Sequence, residues 1–381
     1  MKKKLIRITT VPLSLHKLLE GQLRYMSAFY NVIAVSSDEK MLKQVGKKEQ
    51  VDTFCVALTR QITPLQDISA VVKLYRFLKK EQPFIVHTHT PKAGIVGMLA
   101  AKLAGVPHRL HTVAGLPLLE TTGVKRKILN GVEKITYKCA TKVYPNSKGL
   151  KDIIVGNKFT GTDKLKIIAN GSSNGIDTSY FNPELVSLSE RKKLKKELNI
   201  NDDDFVFVFV GRIVGDKGIN ELVAAFQKTS NTYSNCKLLL VGLLEHDLDP
   251  LLPITLKTMA ANAQIISVGY QDDVRPYFAI SNALTFPSYR EGFPNVVMQA
   301  CAMELPCVVT DINGCNEIIE NNVNGNVIPV KNAEVLYETM KTYLDNQNHV
   351  SEMKAGSRVV IKEKYERNVV CKALLDEYKK L

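Results

Sequence analysis

Short apolar runs alternate with longer amphipathic stretches along most of the chain. The runs predict β-strands and the stretches predict helices. Their alternation is typical of βαβ units that form a parallel sheet covered on both faces. The strands predicted in the first half are Leu5–Thr9, Val32–Val35, Phe84–His87, Arg109–Thr112, Lys142–Tyr144 and Lys166–Ile168. The helices predicted there are Leu15–Phe29, Ile68–Lys80, Gly94–Ala104, Lys125–Ala140 and Lys148–Val155.

The second half repeats this pattern after a stretch rich in Gly, Ser, Asn and Asp from Ser172 to Pro183, which is typical of a linker. A charged helix is predicted at Ser189–Leu198, further helices follow the later strands, and Val369–Leu381 has the pattern of an amphipathic helix. The predicted strands are Phe205–Val210, Lys237–Val241, Ile265–Val268, Ala283–Phe286, Cys307–Val309 and Asn326–Ile328. We therefore predict an α/β protein with two doubly wound, Rossmann-like domains, residues 1–183 and 184–364, and a cleft between them. At 381 residues the chain is also longer than one core usually supports.

The excess positive charge of the chain lies in its first half. The formal charge is +13, yet residues 1–190 hold 29 Lys and Arg against 14 Asp and Glu, whereas the remainder holds 22 against 24. This asymmetry indicates an acidic partner for the first half, either an anionic membrane surface or a pyrophosphate-linked acceptor. Nucleic acid is not expected, because no helix-turn-helix, RNA-binding-sheet or zinc-finger signature accompanies the charge.

One helical stretch carries much of this charge. Lys125, Arg126 and Lys127 are followed by Ile128 and Leu129, and further lysines recur up to residue 142. The stretch is either a basic face that lies on anionic lipid or a surface helix with an ordinary apolar core side, and the sequence leaves both open.

Cysteine usage and hydropathy bear on location. The seven cysteines are scattered, odd in number and lack a Cys-x-x-Cys pair, a pattern that favours a reducing compartment over a disulfide framework. The longest apolar stretch, Gly94–Ala101, falls short of the ~20 residues that a membrane span needs. We predict a cytoplasmic protein, soluble or peripheral at the inner face of the membrane.

The stretch from Ser288 to Ala300 combines a carboxylate with a helix start. Glu291 lies in a Gly- and Pro-containing loop after a predicted strand, and Pro294 leads into a predicted helix. The first N–H groups of a helix have no partner of their own, so this point suits an anion. Glu291 can accept hydrogen bonds from sugar hydroxyls, and Gln299 can reach a second polyol such as a ribose.

A second loop is also suited to binding an anion. The strand Phe205–Val210 is followed by Gly211-Arg212-Ile213-Val214-Gly215-Asp216-Lys217-Gly218. Its glycines allow close approach of a ligand, Arg212 offers a guanidinium fork, and Lys217 offers a point charge. These two cations could neutralise a diphosphate without a metal ion.

Four residues in the second half directly follow predicted strands, namely Gly211, Gly242, Gly269 and Pro287. They therefore share the sheet edge at which such folds bind ligands. Asp202–Asp204 precedes a strand at the opposite edge, and His87 and His89 share a strand face without a third ligand at a suitable spacing. We therefore predict no metal site.

These motifs resemble the family 4 glycosyltransferases of the two-domain GT-B type. The resemblance covers the Gly211–Gly218 element and a variant Glu-x7-Glu element in which Gln299 stands in place of the second Glu. It extends in order from residue 87 to residue 317. The other matching segments are His89–Gly94, Asn170–Asp177, Gly269–Val274 and Thr310–Glu317.

The resemblance implies a role for each matched residue. Arg212 and Lys217 would bind the donor pyrophosphate, Glu291 the donor sugar, Gln299 the ribose and His111 the transferring sugar. The remaining donor-binding residues would be Gly211, Gly242, Tyr270, Gly292, Phe293, Pro294, Asn295 and Val296. The acceptor side would include Gly21, which stands where relatives often have a Gly-Gly pair, together with His89 and Lys92. The resemblance also implies that a C-terminal helix, residues 365–381, crosses back to the first domain.

The expected function is therefore metal-independent, retaining transfer of a hexose or N-acetylhexosamine from a UDP-sugar to a sugar acceptor. The acceptor is expected to be an oligosaccharide or a polyprenyl-pyrophosphate-linked sugar of surface polysaccharide biosynthesis, as in capsule or O-antigen. Two alternatives stay open: a nucleotide-sugar epimerase or hydrolase of the same shape, and a non-catalytic polyanion-binding protein.

Overall fold

A computed structural model describes residues 2–59, 61–245 and 249–381. The chain forms two compact units. Unit 1 comprises Met1–Asn174 and Asn368–Leu381, and unit 2 comprises Gly175–Arg367. No helix among the described residues is both long enough and apolar enough to cross a membrane.

Unit 1 is built on a six-stranded parallel sheet with the order β3-β2-β1-β4-β5-β6. Its strands are β1 (Lys4–Ile8), β2 (Asn31–Ser36), β3 (Asp52–Cys55), β4 (Ile85–His89), β5 (His108–Val113) and β6 (Lys142–Pro145). Its first helices are α1 (Pro12–Leu18), α2 (Gln22–Ser27), α3 (Glu39–Glu49), α4 (Pro64–Glu81), α5 (Pro91–Leu103), α6 (Gly123–Cys139) and α7 (Lys148–Gly156). The order reverses between β1 and β4, which is where doubly wound sheets bind ligands.

Alternate residues of the unit 1 strands bury two separate apolar layers. Ile6 and Ile8 of β1 pack with the layer that α4–α7 cover, whereas Leu5 of the same strand packs with residues of α1–α3. The near-continuous apolar runs in the sequence follow from this, because both faces of a parallel sheet are covered.

Unit 2 repeats the topology, with the order β12-β11-β10-β7-β8-β9. Its strands are β7 (Phe205–Val210), β8 (Cys236–Val241), β9 (Ile265–Gly269), β10 (Ala283–Phe286), β11 (Cys307–Thr310) and β12 (Gly325–Ile328). Its helices are α8 (Leu188–Glu197), α9 (Ile219–Thr232), α10 (Pro253–Ala261), α11 (Arg275–Ala279), α12 (Asn295–Ala302), α13 (Cys315–Ile318), α14 (Ala333–Asp345) and α15 (Gln347–Lys364). Here the order reverses between β7 and β10.

The prediction of two doubly wound domains is confirmed, with local corrections. The strand predicted at Lys166–Ile168 was wrong, because only a single bridge joins Leu165 to Val143. The helix predicted at Leu15–Phe29 is two helices, because the chain turns at Gly21 with a φ of 74°. Strand β3 and helix α3 were not predicted, since their sequences are short or strongly polar.

The segment after Asn174 belongs to unit 2, although a boundary was expected at residue 183. The Ile176 amide donates to the Tyr365 carbonyl at 2.8 Å, and the Arg367 amide donates to the Ile176 carbonyl at 2.9 Å. The Arg358 guanidinium also donates to the carbonyls of Thr178 and Phe181, both at 2.7 Å. These bonds tie the linker-like stretch to the C-terminal part of unit 2.

The last helix, α16 (Arg367–Lys379), returns to unit 1, as the resemblance implied. Leu374, Leu375 and Tyr378 pack in the unit 1 layer that contains Leu5. An amphipathic helix at the end of the sequence therefore completes the core of the first unit.

Candidate functional site

In unit 2, the loops that follow β7 and β10 meet at the point where the strand order reverses. The Tyr289 amide donates to the Asp216 carbonyl at 2.9 Å, and the side chains of Arg290 and Asp216 form an ion pair. Gly218, with a φ of 70°, lies so close to the loop that a Cβ there would stand 2.1 Å from the Pro287 carbonyl oxygen. The two loops thus form one structure at the predicted ligand edge.

Lys217 and Glu291 form an ion pair between these loops. The Lys217 ammonium contacts the Glu291 carboxylate and lies 3.5 Å from the Ser288 hydroxyl. The two side chains are only 15% and 21% exposed. Partial burial and an opposite charge hold the ammonium in one place, and a pair in this setting is screened less than a surface pair.

Arg212 is held more loosely. Its guanidinium lies 3.3 Å from the Glu245 carboxylate and its side chain is 45% exposed. An exposed pair of this kind contributes little to stability, so the guanidinium can turn to another anion at small cost.

The third part of this edge is the start of α12. Pro294 is the N-cap residue of α12, and its side chain accepts no hydrogen bond from the helix. The first N–H groups of α12 therefore have no capping side chain. Phe293 is buried, with its ring 5.4 Å from that of Tyr365, and it anchors the approach to the helix. Asn295 and Val296 form the first turn of α12 and are partly exposed.

Gly314 supports this loop, and no role was predicted for it. Its φ is 75°, and a Cβ there would lie 2.7 Å from the Phe293 Cα and 2.8 Å from the Gly292 carbonyl oxygen. The Thr310 hydroxyl also donates to the Ser288 carbonyl. In the sequence, Gly314 is only a glycine between a short strand and a short helix. Nothing in that pattern indicated that it contacts the loop at Gly292 and Phe293.

Tyr289 and Glu221 form a second contact that was not predicted. The Tyr289 hydroxyl lies 2.8 and 2.7 Å from the two Glu221 carboxylate oxygens, and burial together with this bond raises the pKa of Tyr289. The contact ties the loop after β10 to helix α9, so it braces the position of Glu291.

The remaining predicted donor residues lie along the same edge. Gly211 and Gly242 follow neighbouring strands and contact each other: a Cβ at Gly242 would lie 1.7 Å from the Gly211 carbonyl oxygen. Tyr270 follows the edge strand β9 and is largely exposed, and Gln299 lies partly exposed in α12.

In unit 1, the predicted acceptor residues lie at the carboxyl edge of the sheet. Gly21, with a φ of 74°, precedes α2 and donates its N–H to Glu49 at 2.8 Å. Lys92, in the first turn of α5, is ion-paired with Asp67 of α4 at 2.6 Å. Its charge is therefore compensated within the unit.

His111 lies in the core of unit 1. Its Nδ1 is 2.7 Å from the Thr88 hydroxyl, and the ring lies against Gly94, where a Cβ would be 2.5 Å from His111 Cε1. Burial lowers the pKa of His111 to about 4, so the imidazole is neutral at physiological pH. The sequence did not indicate that His111 is buried.

His89 belongs to a buried polar network around Arg7. The Arg7 guanidinium contacts the Gln22 amide oxygen, His89 Nε2 at 2.7 Å and the Tyr378 hydroxyl at 3.0 Å. Burial lowers the pKa of His87 and His89 well below the usual value, and nearby Arg7 lowers both further. The network therefore carries the single charge of Arg7.

Among the described residues, no group of three or more His, Cys, Asp or Glu side chains is arranged to hold a metal ion.

Comparison with known proteins identifies the family. Residues 190–360 match the family model "Glycosyl transferases group 1", and residues 18–147 match "Glycosyl transferase 4-like". The capsular polysaccharide biosynthesis glycosyltransferase CapM of Staphylococcus aureus is 30% identical over 377 residues, which cover 99% of this chain and 97% of CapM. An Escherichia coli UDP-Gal:alpha-D-GlcNAc-diphosphoundecaprenol alpha-1,3-galactosyltransferase is 29% identical over 77% of this chain and 75% of its own length.

A solved structure gives the same fold. Anabaena HepE, crystallised with UDP and glucose, superposes with a TM-score of 0.81 over 100% of both chains at 15% identity. The strand order, the loops at its reversal and the full-length similarity to CapM lead to one conclusion: the chain belongs to the family 4 glycosyltransferases of the GT-B type.

Proposed function

We propose that this glycosyltransferase moves a hexosyl or N-acetylhexosaminyl group from a UDP-sugar to a lipid-pyrophosphate-linked sugar during surface polysaccharide synthesis, with retention of configuration. The observation that carries the proposal is the Lys217–Glu291 pair beside the start of α12. The UDP bound in the HepE crystal supports UDP as the nucleotide of the donor. Similarity to CapM supports a role in surface polysaccharide synthesis, and similarity to the E. coli galactosyltransferase supports a lipid-diphosphate-linked acceptor.

The difficult step is departure of the nucleotide. As the bond between the sugar C1 and the phosphate oxygen breaks, negative charge develops on the leaving UDP. Lys217 and the amides of Asn295 and Val296 supply positive potential at that point from fixed positions, and Arg212 turns from Glu245 to the diphosphate. The proposal needs no metal ion, because two side-chain cations neutralise the diphosphate.

The sugar is held by groups beside these cations. Glu291 accepts hydrogen bonds from sugar hydroxyls through the carboxylate oxygen that Lys217 leaves available, and Gln299 accepts one from the ribose. The acceptor hydroxyl forms its new bond to C1 on the face that the phosphate leaves, and its proton passes to a phosphate oxygen of UDP. This route requires no side-chain base.

His111 does not contact the transferring sugar in this proposal. The His111 ring packs against Gly94, and its Nδ1 is hydrogen-bonded to the Thr88 hydroxyl. We therefore propose a structural role for His111, in which it fixes the end of its strand next to His89. Gly21, His89 and Lys92 mark the unit 1 edge at which the acceptor would bind. The positive charge of residues 1–190 suits its pyrophosphate and an anionic membrane surface on the cytoplasmic side.

Substitution of the two cations tests the donor site. Lys217→Ala and Arg212→Ala should each lower kcat for UDP-sugar transfer on the order of 10²–10³-fold, because each removes a cation that stabilises the leaving diphosphate. Lys228→Ala is the matched control, because Lys228 is also ion-paired, to Glu334, but lies on the surface of α9. Turnover near the wild-type rate in both site variants would refute the assignment.

Three further measurements separate the alternatives. UDP should raise the unfolding midpoint of the wild type by mass action and should do so less in Lys217→Ala. Consumption of the donor without an acceptor would instead identify an epimerase or hydrolase. Steeply salt-dependent polyanion binding without any effect of UDP would identify a binding protein.

A further inference from the structure

We infer that unit 1 carries a membrane-docking surface, formed by exposed apolar side chains at the starts of α4 and α6, which inserts into an anionic bilayer. The inference rests on the proposed function, since a lipid-linked acceptor resides in a bilayer. It adds that apolar insertion at two helix starts, and not the charge of α6 alone, holds the enzyme there.

Helix α4 has an apolar outer stripe. Leu65 is 83% exposed, and Ile68 and Val72, three and seven residues further on, are also exposed. This spacing places all three on one helical face, while Ala70, Leu74 and Leu78 on another face are buried in the core. The stripe is therefore not required for packing within unit 1.

Helix α6 begins in the same way. Val124 is 73% exposed and Ile128, one turn further, is exposed too, whereas Thr136, Tyr137 and Cys139 are buried. Lys125, Arg126 and Lys127 lie between the two exposed apolar residues. Apolar side chains flanked by lysines in this way are typical of helices that lie at a membrane interface.

The two helix starts lie at the same edge of the unit 1 sheet. Helix α4 follows β3 and α6 follows β5, so both begin at the carboxyl ends of strands, as α5 does after β4. Helix α5 packs against both α4 and α6 and so lies between them. Its first turn holds Lys92, so the apolar patch flanks the edge at which we place the acceptor.

Charge favours an anionic bilayer as the occupant. Beside the α4 stripe, at Val72, lies a groove of about 790 Å³ whose lining is partly apolar and holds more cations than carboxylates. The apolar residues are Phe54, Val72 and Phe77, the cations are Lys73, Arg76 and Lys80, and Ser69 and Glu81 complete the lining. Lys80 and Glu81 lie at the end of α4, so Lys73 and Arg76 are the cations nearest to the stripe. This combination fits the acyl-glycerol region and the phosphate of an anionic lipid, and each such cation strengthens attachment to the leaflet.

Vesicle co-sedimentation tests the inference without any substrate. The full chain is mixed with vesicles of equal parts phosphatidylglycerol and phosphatidylethanolamine, at low and at high salt. We expect Leu65→Gln/Ile68→Gln to lower the partition coefficient about tenfold or more, because it removes two apolar side chains from the insertion face. High salt should weaken wild-type binding only in part, because the apolar contribution is not screened.

Leu103→Gln is the matched control. Leu103 is 59% exposed at the end of α5, at the opposite edge of the sheet, so its replacement should leave partitioning unchanged. The α4 variant should also transfer sugar to a short-chain, water-soluble acceptor at the wild-type rate, which separates docking from the donor chemistry.

Three outcomes would overturn the inference. These are wild-type partitioning of the α4 variant, an equal loss in Leu103→Gln, and lipid-free self-association of the wild type that the α4 substitutions abolish. The last result would assign the patch to a second copy of the chain. A variant that keeps vesicle binding but loses transfer would count against the proposed function's acceptor and not against the surface.

Discussion

At the scale of single residues, a pair of glycines sets how closely two loops of unit 2 approach each other. Gly211 and Gly242 have φ values of 154° and 153°, which residues other than glycine rarely adopt. They also touch, so a Cβ at Gly242 would have to displace the backbone of the loop after β7. Gly242 thus acts on the candidate site through the conformation of Gly211 and Arg212.

Replacement of this glycine should be costly. Gly242→Ala should lower the free energy of unfolding by about 3 kcal/mol or more, because backbone strain and a backbone clash add. Gly269→Ala, at the end of the next strand, has a φ of 69° but open space around it, so it should cost about 1–2 kcal/mol. Chemical denaturation of both variants measures the difference, and equal costs would show that the contact does not matter.

At the scale of elements, helix α16 is attached to unit 1 by polar as well as apolar contacts. The Tyr378 hydroxyl lies 3.0 Å from Arg7 Nη1 and 2.5 Å from His87 Nδ1, and all three residues are buried. On the same helix, Glu377 contacts Tyr144 at 3.4 Å and pairs with Lys166. A single hydroxyl therefore serves two buried nitrogens at the point where the last helix meets the sheet.

Removing that hydroxyl should loosen the helix. Tyr378→Phe leaves the Arg7 and His87 nitrogens without this partner and should lower the free energy of unfolding by about 1–3 kcal/mol. Amide hydrogen exchange in residues 368–381 should become faster. Tyr270→Phe, at an exposed position, should stay within about 0.5 kcal/mol of the wild type. An unchanged exchange rate in α16 would show that the apolar contacts alone hold it.

At the scale of the whole molecule, buried histidines make stability depend on pH. The pKa of His111 is about 4 in the folded protein and near 6.5 when the ring is exposed, so the unfolded chain binds a proton first as the pH falls. The stabilisation is complete above pH 6.5 and is lost progressively between pH 6.5 and pH 4. Glu133 acts in the opposite direction, because burial raises its pKa to about 7.

Comparison of the wild type with a variant that lacks His111 separates the contribution of this histidine to the pH dependence from those of the other titrating groups. Between pH 7 and pH 4 the wild type should lose about 3 kcal/mol more free energy of unfolding than His111→Asn, which cannot take up that proton. His108→Asn, in the same strand but only partly buried, should differ from the wild type much less. Parallel pH profiles for the wild type and His111→Asn would contradict the burial of this ring.

Most of the elements and much of the local chemistry could be predicted from the amino-acid sequence alone. The strands Phe205–Val210 and Ala283–Phe286 have the predicted bounds, and the loops after them hold the predicted glycines, cations and carboxylate. Such features depend on residues close together in the chain: apolar runs form strands, and Gly and Pro mark where they end. The ordered set of motifs along the chain also indicated the family.

Which of these residues come into contact depends on how the strands and helices pack in three dimensions. Lys217 and Glu291 are 74 residues apart and become partners because β7 and β10 are neighbours in the sheet. Gly314 supports Gly292, Arg7 contacts Tyr378, and His111 is buried beneath Gly94, again through strand order and helix packing. A periodic pattern specifies which face of an element is apolar but not which element covers that face. For this reason the depth of His111 and the partner of Gly314 could not be inferred from the sequence.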